Sequence, residues 1–184
     1  KICRQFHLSM QSGSDGVLKR MNRRYTPEEY LAACETLRRW MPGCAVTTDV
    51  IVGFPGETEA EFAETLDFVR AARFARIHVF PYSRRSGTAA DRMDGQIPEA
   101  VKHERAQKLI ALGNQLEREY VSSMVNTVQT VLFEQPAGEG LAEGYTGEYV
   151  RVRAPAQPGS LIPVRIVCAE DTLAVGEPTT VNGR

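Results

Sequence analysis

The chain has 184 residues, of which 42% are hydrophobic and 24% are charged, and its formal net charge is −1 at pH 7. This composition is typical of a globular protein that buries a core, and the near-neutral charge excludes a general attraction to nucleic acid or membranes. No apolar run approaches the roughly 18 residues of a membrane span and no signal peptide is recognisable, so we expect a cytoplasmic protein without a membrane partner.

The first 125 residues are predicted to alternate between strands and helices. Apolar periodicity and helix-capping signals predict strands at residues 5–11, 46–52 and 76–81, and helices at 26–40, 58–73 and 97–125. This alternation is typical of a parallel sheet with right-handed crossovers. The chain also opens on Lys1 without an initiator Met, which suggests a piece of a longer protein.

The stretch Thr47–Thr58 (TTDVIVGFPGET) is the most informative segment of this region. A β-branched apolar run leads into a Gly-Phe-Pro-Gly turn, and Thr58 with Glu61 forms a capping box for the next helix. Proteins with parallel sheets bind ligands at such strand ends, although an ordinary strand-to-helix connection has the same signature.

After Asn126 the pattern changes to short alternating strands that are separated by Gly- and Pro-rich turns. Strands are predicted at residues 127–134, 147–153 and 161–168, with a short one near 173–175. We therefore predict two domains, an α/β domain over residues 1–125 and a small all-β barrel over residues 126–184.

Polar residues follow each of the three predicted parallel strands and are expected to meet at one sheet edge. They are Ser9, Gln11 and Ser12 after the first strand, Asp49, Gly53 and Glu57 on or after the second, and Phe80 at the third. Glu57 could accept a hydrogen bond from a ribose or an amino group, and Phe80 could provide a wall for a flat base. The set suits a nucleoside-like ligand, while a turn-stabilising role remains open for each polar residue.

No catalytic residue and no metal site can be argued from spacing. His7 and His78 are expected to be packed and His103 solvated. The four cysteines form no short metal-binding motif, and Cys34, Cys44 and Cys168 are expected to be buried thiols.

Two groups of arginines are candidates for RNA binding. Arg23 and Arg24 stand beside Tyr25, and Arg151, Arg153 and Arg165 alternate with apolar residues in the β region. Such cations could receive phosphates, with neighbouring tyrosines stacking on bases. Ordinary exposed charges explain the same pattern.

Three strings, HLSMQSGSDGVLKRMNRRYT, TTDVIVGFPGETEAEF and IHVFPYSRRSGTAA, resemble the radical S-adenosylmethionine (SAM) tRNA methylthiotransferases. The resemblance is greatest to the branch that acts on N6-threonylcarbamoyladenosine beside the anticodon. The final segment, with EGYTGEYVRVR and LIPVRIV, resembles the RNA-binding TRAM module. The resemblance implies the second half of a (β/α) TIM-like radical-SAM barrel followed by a TRAM barrel.

The resemblance also implies SAM and tRNA as partners, and a SAM pocket that includes Ser9, Gln11, Ser12, Asp49, Ile51, Gly53, Glu57 and Phe80. In the family, a [4Fe-4S] cluster on a CxxxCxxC motif cleaves SAM, and a methylthio group is added at C2 of the adenine. That motif is absent from this sequence, so the chain alone is expected to be inactive and, as a partial barrel, to self-associate. The alternatives are a methylthiotransferase fragment that acts on a ribosomal protein, and a non-catalytic RNA-binding module.

Overall fold

The computed structural model describes residues 2–180, which form two compact units. One unit contains residues 6–116, and the other contains residues 2–5 and 117–180. This division falls within a long helix, whereas the predicted domain boundary followed that helix. No helix within the described residues is long and apolar enough to cross a membrane.

The first unit is built from strands and helices in alternation. Its elements are β1 (Gln5–His7), α1 (Asp15–Arg20), α2 (Pro27–Trp40), β2 (Ala45–Val52), α3 (Glu59–Ala72), β3 (Arg76–Pro81), a short 3-10 helix (Ala90–Arg92) and α4 (Glu99–Ser122), of which Gln5 and the end of α4 after Leu116 fall in the other unit. The strands form one sheet in the order β1-β2-β3, with β2 and β3 parallel. An isolated parallel bridge between Gln11 and Val50 extends the first edge beyond β1.

Local sequence signals explain where α2 and α3 begin. In each helix a threonine at the N-cap and a glutamate three residues later exchange hydrogen bonds, and these pairs are Thr26 with Glu29 and Thr58 with Glu61. Pro27 occupies the first turn of α2, where its missing N–H is no loss. The capping box that the sequence predicted at Thr58 and Glu61 is confirmed, and α2 begins with a second one.

The two faces of the sheet differ in chemistry. Val46, Val50 and Val52 of β2 pack into the core that the helices cover. The alternate residues Asp49 and Ile51 lie on the opposite face, because successive side chains of a strand point to opposite sides. That second face is half-exposed and carries the polar groups of the site.

The second unit is a closed five-stranded barrel. Its strands are β4 (Val128–Gly138), β5 (Leu141–Thr146), β6 (Arg151–Pro155), β7 (Leu161–Glu170) and β8 (Leu173–Pro178), in the order β4-β5-β6-β8-β7. The interior is filled by apolar residues that include Phe133, Val152 and Ile166.

Two expectations for this region are corrected. A strand at residues 141–146 was not predicted, since it contains Gly144, and the strand expected from residue 147 begins at Arg151. Tyr149 has a φ of 63°, which belongs to a turn and not to a strand.

Cys168 is exposed and not buried, because a register shift after Ile166 breaks the alternation of β7. Cys34 and Cys44 are buried, as predicted.

Candidate functional site

A cavity of about 420 Å³ lies at the carboxyl ends of β2 and β3. Four of its lining residues were predicted to be at a ligand site, namely Gln11, Asp49, Ile51 and Phe80. The last residue of β3, Pro81, and residues 82, 83, 85, 88 and 90 of the segment that follows complete the wall. The cavity is therefore formed by the edge of the sheet to which the sequence pattern pointed.

Gln11 is held at the cavity by its backbone. Its N–H donates to the Asp49 carbonyl at 2.9 Å, and its own carbonyl accepts from the Ile51 N–H at 2.8 Å. Its φ of 69° lies in the left-handed region, where a non-glycine residue is uncommon. Because the chain turns there, the side chain of Gln11 lines the cavity beside those of Asp49 and Ile51.

Asp49 is bound by two side chains from the first strand segment. Its Oδ2 accepts a hydrogen bond from Ser9 Oγ at 3.0 Å and lies 3.1 Å from His7 Nε2. The other ring nitrogen of His7 lies 3.0 Å from Thr47 Oγ1. The carboxylate on this strand thus has polar partners, as a partly buried charge requires.

The expectation that His7 and His78 are packed among apolar residues is wrong. The side chain of His7 is 41% exposed, and His78 is exposed on the same face of the sheet. Their rings lie 6.1 Å apart. The strand alternation that packs the partly buried Ile77 and Val79 against the core directs His78 to the open face. His103 is exposed on α4, as predicted.

Four predicted ligand residues do not line the cavity, and the first of them, Ser9, is exposed and donates to Asp49. Ser12 is fully buried, where its Oγ accepts from the Ser14 N–H and lies 3.3 Å from Thr65 Oγ1. Gly53 and Glu57 are bound to each other, with the Gly53 N–H donating to Glu57 Oε2 at 2.6 Å. The expectation that Glu57 accepts a hydrogen bond from a ligand is corrected, since its side chain is only 1% exposed.

Arg105 of α4 is the second partner of Glu57, and the sequence reasoning missed it. Its guanidinium donates to Glu57 Oε2 at 2.8 Å and to the Glu57 carbonyl at 3.0 Å. Burial raises the pKa of Glu57, while the Gly53 N–H and the Arg105 charge act in the opposite direction. The buried ion pair therefore joins α4 to the turn that follows β2.

Lys102, one turn earlier on α4, was missed as well. Its Nζ donates to the Tyr82 carbonyl at 3.0 Å and lies 5.5 Å from the centre of the Tyr82 ring. Its side chain is only 3% exposed. The helical spacing could have predicted that Lys102 and Arg105 are buried. They continue the buried stripe of Leu109, Leu112 and Leu116 at intervals of three and four residues.

The arginines that were predicted to bind RNA fall into two classes. Arg23, Arg24, Arg151 and Arg165 are exposed. Arg153 is bound by Glu143, whose Oε1 accepts from its Nη2 at 2.7 Å. Tyr25 is half-buried and donates its hydroxyl to the Met10 carbonyl at 2.8 Å, which limits it as a stacking surface.

On the barrel, an exposed row runs across four strands beside Arg151. Cα pairing places Leu161 opposite Leu132, Leu132 opposite Tyr145, and Tyr145 opposite Arg151. The Tyr145 ring also lies 6.3 Å from that of Tyr149, which is 59% exposed. The row combines a cation with aromatic and aliphatic surface.

Within residues 2–180, no group of three or more His, Cys, Asp or Glu side chains could hold a metal ion. The described residues therefore do not fit an iron–sulfur cluster. They do fit a nucleoside, since the cavity combines the Phe80 and Ile51 side chains with the amide of Gln11 and the carboxylate of Asp49.

The sequence of this chain is similar to radical-SAM proteins and to tRNA methylthiotransferases. Residues 1–69 match the Radical SAM superfamily. The threonylcarbamoyladenosine tRNA methylthiotransferase MtaB of Bacillus subtilis is 48% identical over 156 residues, which are 83% of this chain and 35% of that protein. A tRNA-2-methylthio-N(6)-dimethylallyladenosine synthase of Mycobacterium ulcerans is 43% identical over 180 residues, which are 91% of this chain and 34% of that protein.

One solved structure, of coproporphyrinogen III oxidase (HemN) from Escherichia coli, a radical SAM enzyme, matches with a TM-score of 0.51 and 26% identity. It covers 61% of this chain, and the match covers 27% of that protein. The similarity supports an α/β radical-SAM fold. The chain spans about a third of the length of the curated relatives that it matches.

Proposed function

We propose, from the similarity of this chain to the radical-SAM tRNA methylthiotransferases, that it is the cofactor-binding and RNA-binding part of such an enzyme. In this proposal the cavity of the first unit holds the nucleoside of SAM, and the barrel contacts tRNA. The substrate would be N6-threonylcarbamoyladenosine beside the anticodon. The observation that carries the proposal is the cavity itself, to which the segment that matches the superfamily contributes Gln11, Asp49 and Ile51.

The residues of the cavity have separate roles in this proposal. Phe80, which is 51% exposed, would stack on the adenine, and Ile51, its register partner on β2, would extend the same apolar surface. Gln11 and Asp49 would bind ribose hydroxyls, the carboxylate as an acceptor. SAM, when bound beside a cluster held by other residues, would supply the radical chemistry.

Glu57, Arg105 and Lys102 have a supporting role. The Glu57–Arg105 pair fixes the turn after β2, and Lys102 fixes the Tyr82 carbonyl after β3. These contacts hold the two chain segments that border the cavity. The hydroxyl of Tyr82 is buried and has no hydrogen-bond partner within the described residues, so an acceptor on a ligand could satisfy it.

The cofactor proposal is tested by titrating S-adenosylhomocysteine into the chain and following its side-chain NMR signals. We expect the signals of Ile51 and Phe80 to shift, and Phe80→Ala to weaken binding by about 1–3 kcal/mol, the range for a base stacked on an aromatic ring. Trp40→Ala is the control, because Trp40 is 79% exposed and does not line the cavity. Absence of shifts at millimolar ligand would contradict the cofactor site and favour a non-catalytic RNA-binding module.

The substrate class is tested by filter binding with tRNA and with a ribosomal protein as competitors. Preferential binding of the ribosomal protein would contradict the proposal. Turnover by the chain alone would contradict the prediction that it is inactive without cluster ligands.

A further inference from the structure

Arg85, on the loop between β3 and α4, places a cation at the edge of the cavity. The proposed cofactor role does not use this cation. We propose that Arg85 binds an oxyanion of the RNA nucleotide that enters the site. This inference rests on the proposed function, because it assigns to one side chain the recognition of the RNA substrate.

Arg85 differs from the neighbouring Arg84 in its partners. The Nε of Arg84 donates to Asp91 Oδ1 at 2.9 Å, and its Nη2 donates to the Asp91 carbonyl at 2.8 Å. Arg85 lines the cavity and is exposed, and its guanidinium makes no hydrogen bond or ion pair within residues 2–180. The loop therefore neutralises one arginine and leaves the other available to a ligand.

The backbone of Arg85 is fixed although its guanidinium is free. Its carbonyl accepts from the Thr88 hydroxyl at 2.8 Å and from the Thr88 N–H at 3.2 Å. The Thr88 hydroxyl in turn accepts from the Asp91 N–H at 3.2 Å. Because the loop is held by its own hydrogen bonds, binding of a ligand to Arg85 requires less ordering of the backbone, which lowers the entropy cost of binding.

The distribution of charge within the cavity favours an anion at this end. Asp49, the carboxylate that lines the cavity, is already bound by Ser9 and lies beside His7. It forms no ion pair with Arg85. A planar, always charged guanidinium with five donors binds carboxylate or phosphate groups bidentately, which suits it to recognition of an oxyanion.

The cavity residues beside Arg85 match the chemistry of a nucleotide. Pro81 adds apolar surface that the proposed cofactor role does not use, while Ser83 and Thr88 add hydroxyl groups beside Arg85. A flat base next to an oxyanion matches this arrangement. The oxyanion can be the phosphodiester of the RNA, or the carboxylate of a threonylcarbamoyl group on the adenine.

The test uses synthetic anticodon stem-loop RNAs that differ only in one nucleoside, which is adenosine, dimethylallyladenosine or threonylcarbamoyladenosine. Their affinities for the chain and for Arg85→Ala, Arg85→Lys and Arg39→Ala are measured by fluorescence anisotropy at several salt concentrations. Arg39 is the matched control, because it is an exposed arginine on α2 that does not line the cavity. Its removal changes the net charge of the chain by the same amount.

We expect Arg85→Ala to weaken RNA binding by about tenfold, as for a lost charged hydrogen-bond pair, and Arg85→Lys by less. Arg39→Ala should change the affinity by less than about twofold, since a distant exposed charge is screened by salt. A uniform loss across the three RNAs, with the salt slope reduced by about 0.7, identifies a phosphate. A loss confined to the threonylcarbamoyl RNA identifies the carboxylate.

An Arg85→Ala affinity equal to that of Arg39→Ala would overturn the inference while the proposed function stands. A weaker affinity for S-adenosylhomocysteine with unchanged RNA binding would overturn it in favour of a cofactor contact. If the unsubstituted chain binds none of the RNAs, the proposed function itself fails, and the inference fails with it.

Discussion

Gly53 illustrates how a single residue couples two elements of the first unit. Its φ of 73° lies in the left-handed region, and a Cβ at this position would collide with the Cγ of Lys102. The absence of a side chain therefore lets the buried lysine pass over the turn and reach the Tyr82 carbonyl.

Gly53→Ala is expected to lower the free energy of unfolding by about 2–3 kcal/mol, of which about 1 kcal/mol is the cost of positive φ. Gly87→Ala is the matched control, since Gly87 has a φ of 86° and a Cβ there would meet nothing within 4 Å. Denaturant unfolding of both variants measures the difference. Equal losses would show that Lys102 imposes no steric requirement on Gly53.

Glu61 links a helix cap to a neighbouring helix, and its pKa is lowered, chiefly by the hydrogen bond from Arg20. Its Oε2 accepts from Arg20 Nη2 at 2.8 Å and from the Thr58 N–H at 2.8 Å. A carboxyl group with a lowered pKa in the folded state stabilises the fold above its unfolded pKa. That contribution is lost as the pH falls through the folded pKa.

Glu61→Gln is therefore expected to cost about 1 kcal/mol at pH 7, and this difference should shrink as the pH falls below the ordinary carboxyl value of 4.5. Glu64→Gln, an exposed substitution on the same helix, should have little effect at any pH. Urea unfolding at a series of pH values measures both variants. A pH-independent cost of Glu61→Gln would contradict the ionic account.

At the scale of elements, the barrel depends on a close approach of β4 and β5. Gly144 of β5 pairs with Phe133, and a Cβ at position 144 would overlap the carbonyl oxygen of Leu132. Gly144 made β5 hard to predict from the sequence. The same residue is required for the pairing of β5 with β4, because the two backbones leave no room for a side chain.

Gly144→Ala is expected to destabilise the barrel by more than about 2 kcal/mol, since backbone atoms cannot move aside as a flexible side chain can. Gly147→Ala is the control, because a Cβ there would meet nothing within 4 Å and the backbone is not left-handed. Thermal unfolding followed by circular dichroism compares the two. Similar midpoints would show that β5 shifts without cost.

At the scale of the whole molecule, the chain combines a unit with a cavity and a unit with an exposed cationic and aromatic surface. Arg151 and Arg165 are both exposed on the barrel, whereas Arg153 is bound by Glu143. Only the first two are free to receive phosphates without breaking an ion pair. Self-association of the chain stays a prediction, which light scattering can test.

Arg151→Ala combined with Arg165→Ala is expected to weaken tRNA binding by about tenfold or more and to leave the unfolding free energy within about 0.5 kcal/mol. Arg153→Ala should weaken binding less, because its guanidinium is already engaged. Filter binding at low and moderate salt measures both. An unchanged tRNA affinity in the double variant would remove the barrel from the proposed RNA interface.

The sequence by itself determined the alternating α/β unit, the β barrel and the resemblance to the radical-SAM tRNA methylthiotransferases. The relatives confirm this resemblance. These features are local, since capping boxes, strand alternation and the turn at residues 53–56 are written in neighbouring residues. Gln11, Asp49, Ile51 and Phe80 meet as expected because parallel strands end at the same sheet edge.

Only the tertiary structure decided which polar groups are available to a ligand. Ser12 Oγ and Glu57 Oε2 are engaged in internal hydrogen bonds. Lys102 and Arg105 of α4 bind Tyr82 and Glu57, which lie 20 and 48 residues earlier in the chain. Arg84 and Arg85 are adjacent and identical in type, yet one is paired with Asp91 and the other faces the cavity. The physical reason is that availability depends on which partners the fold brings within hydrogen-bond distance, and a sequence pattern does not contain those positions.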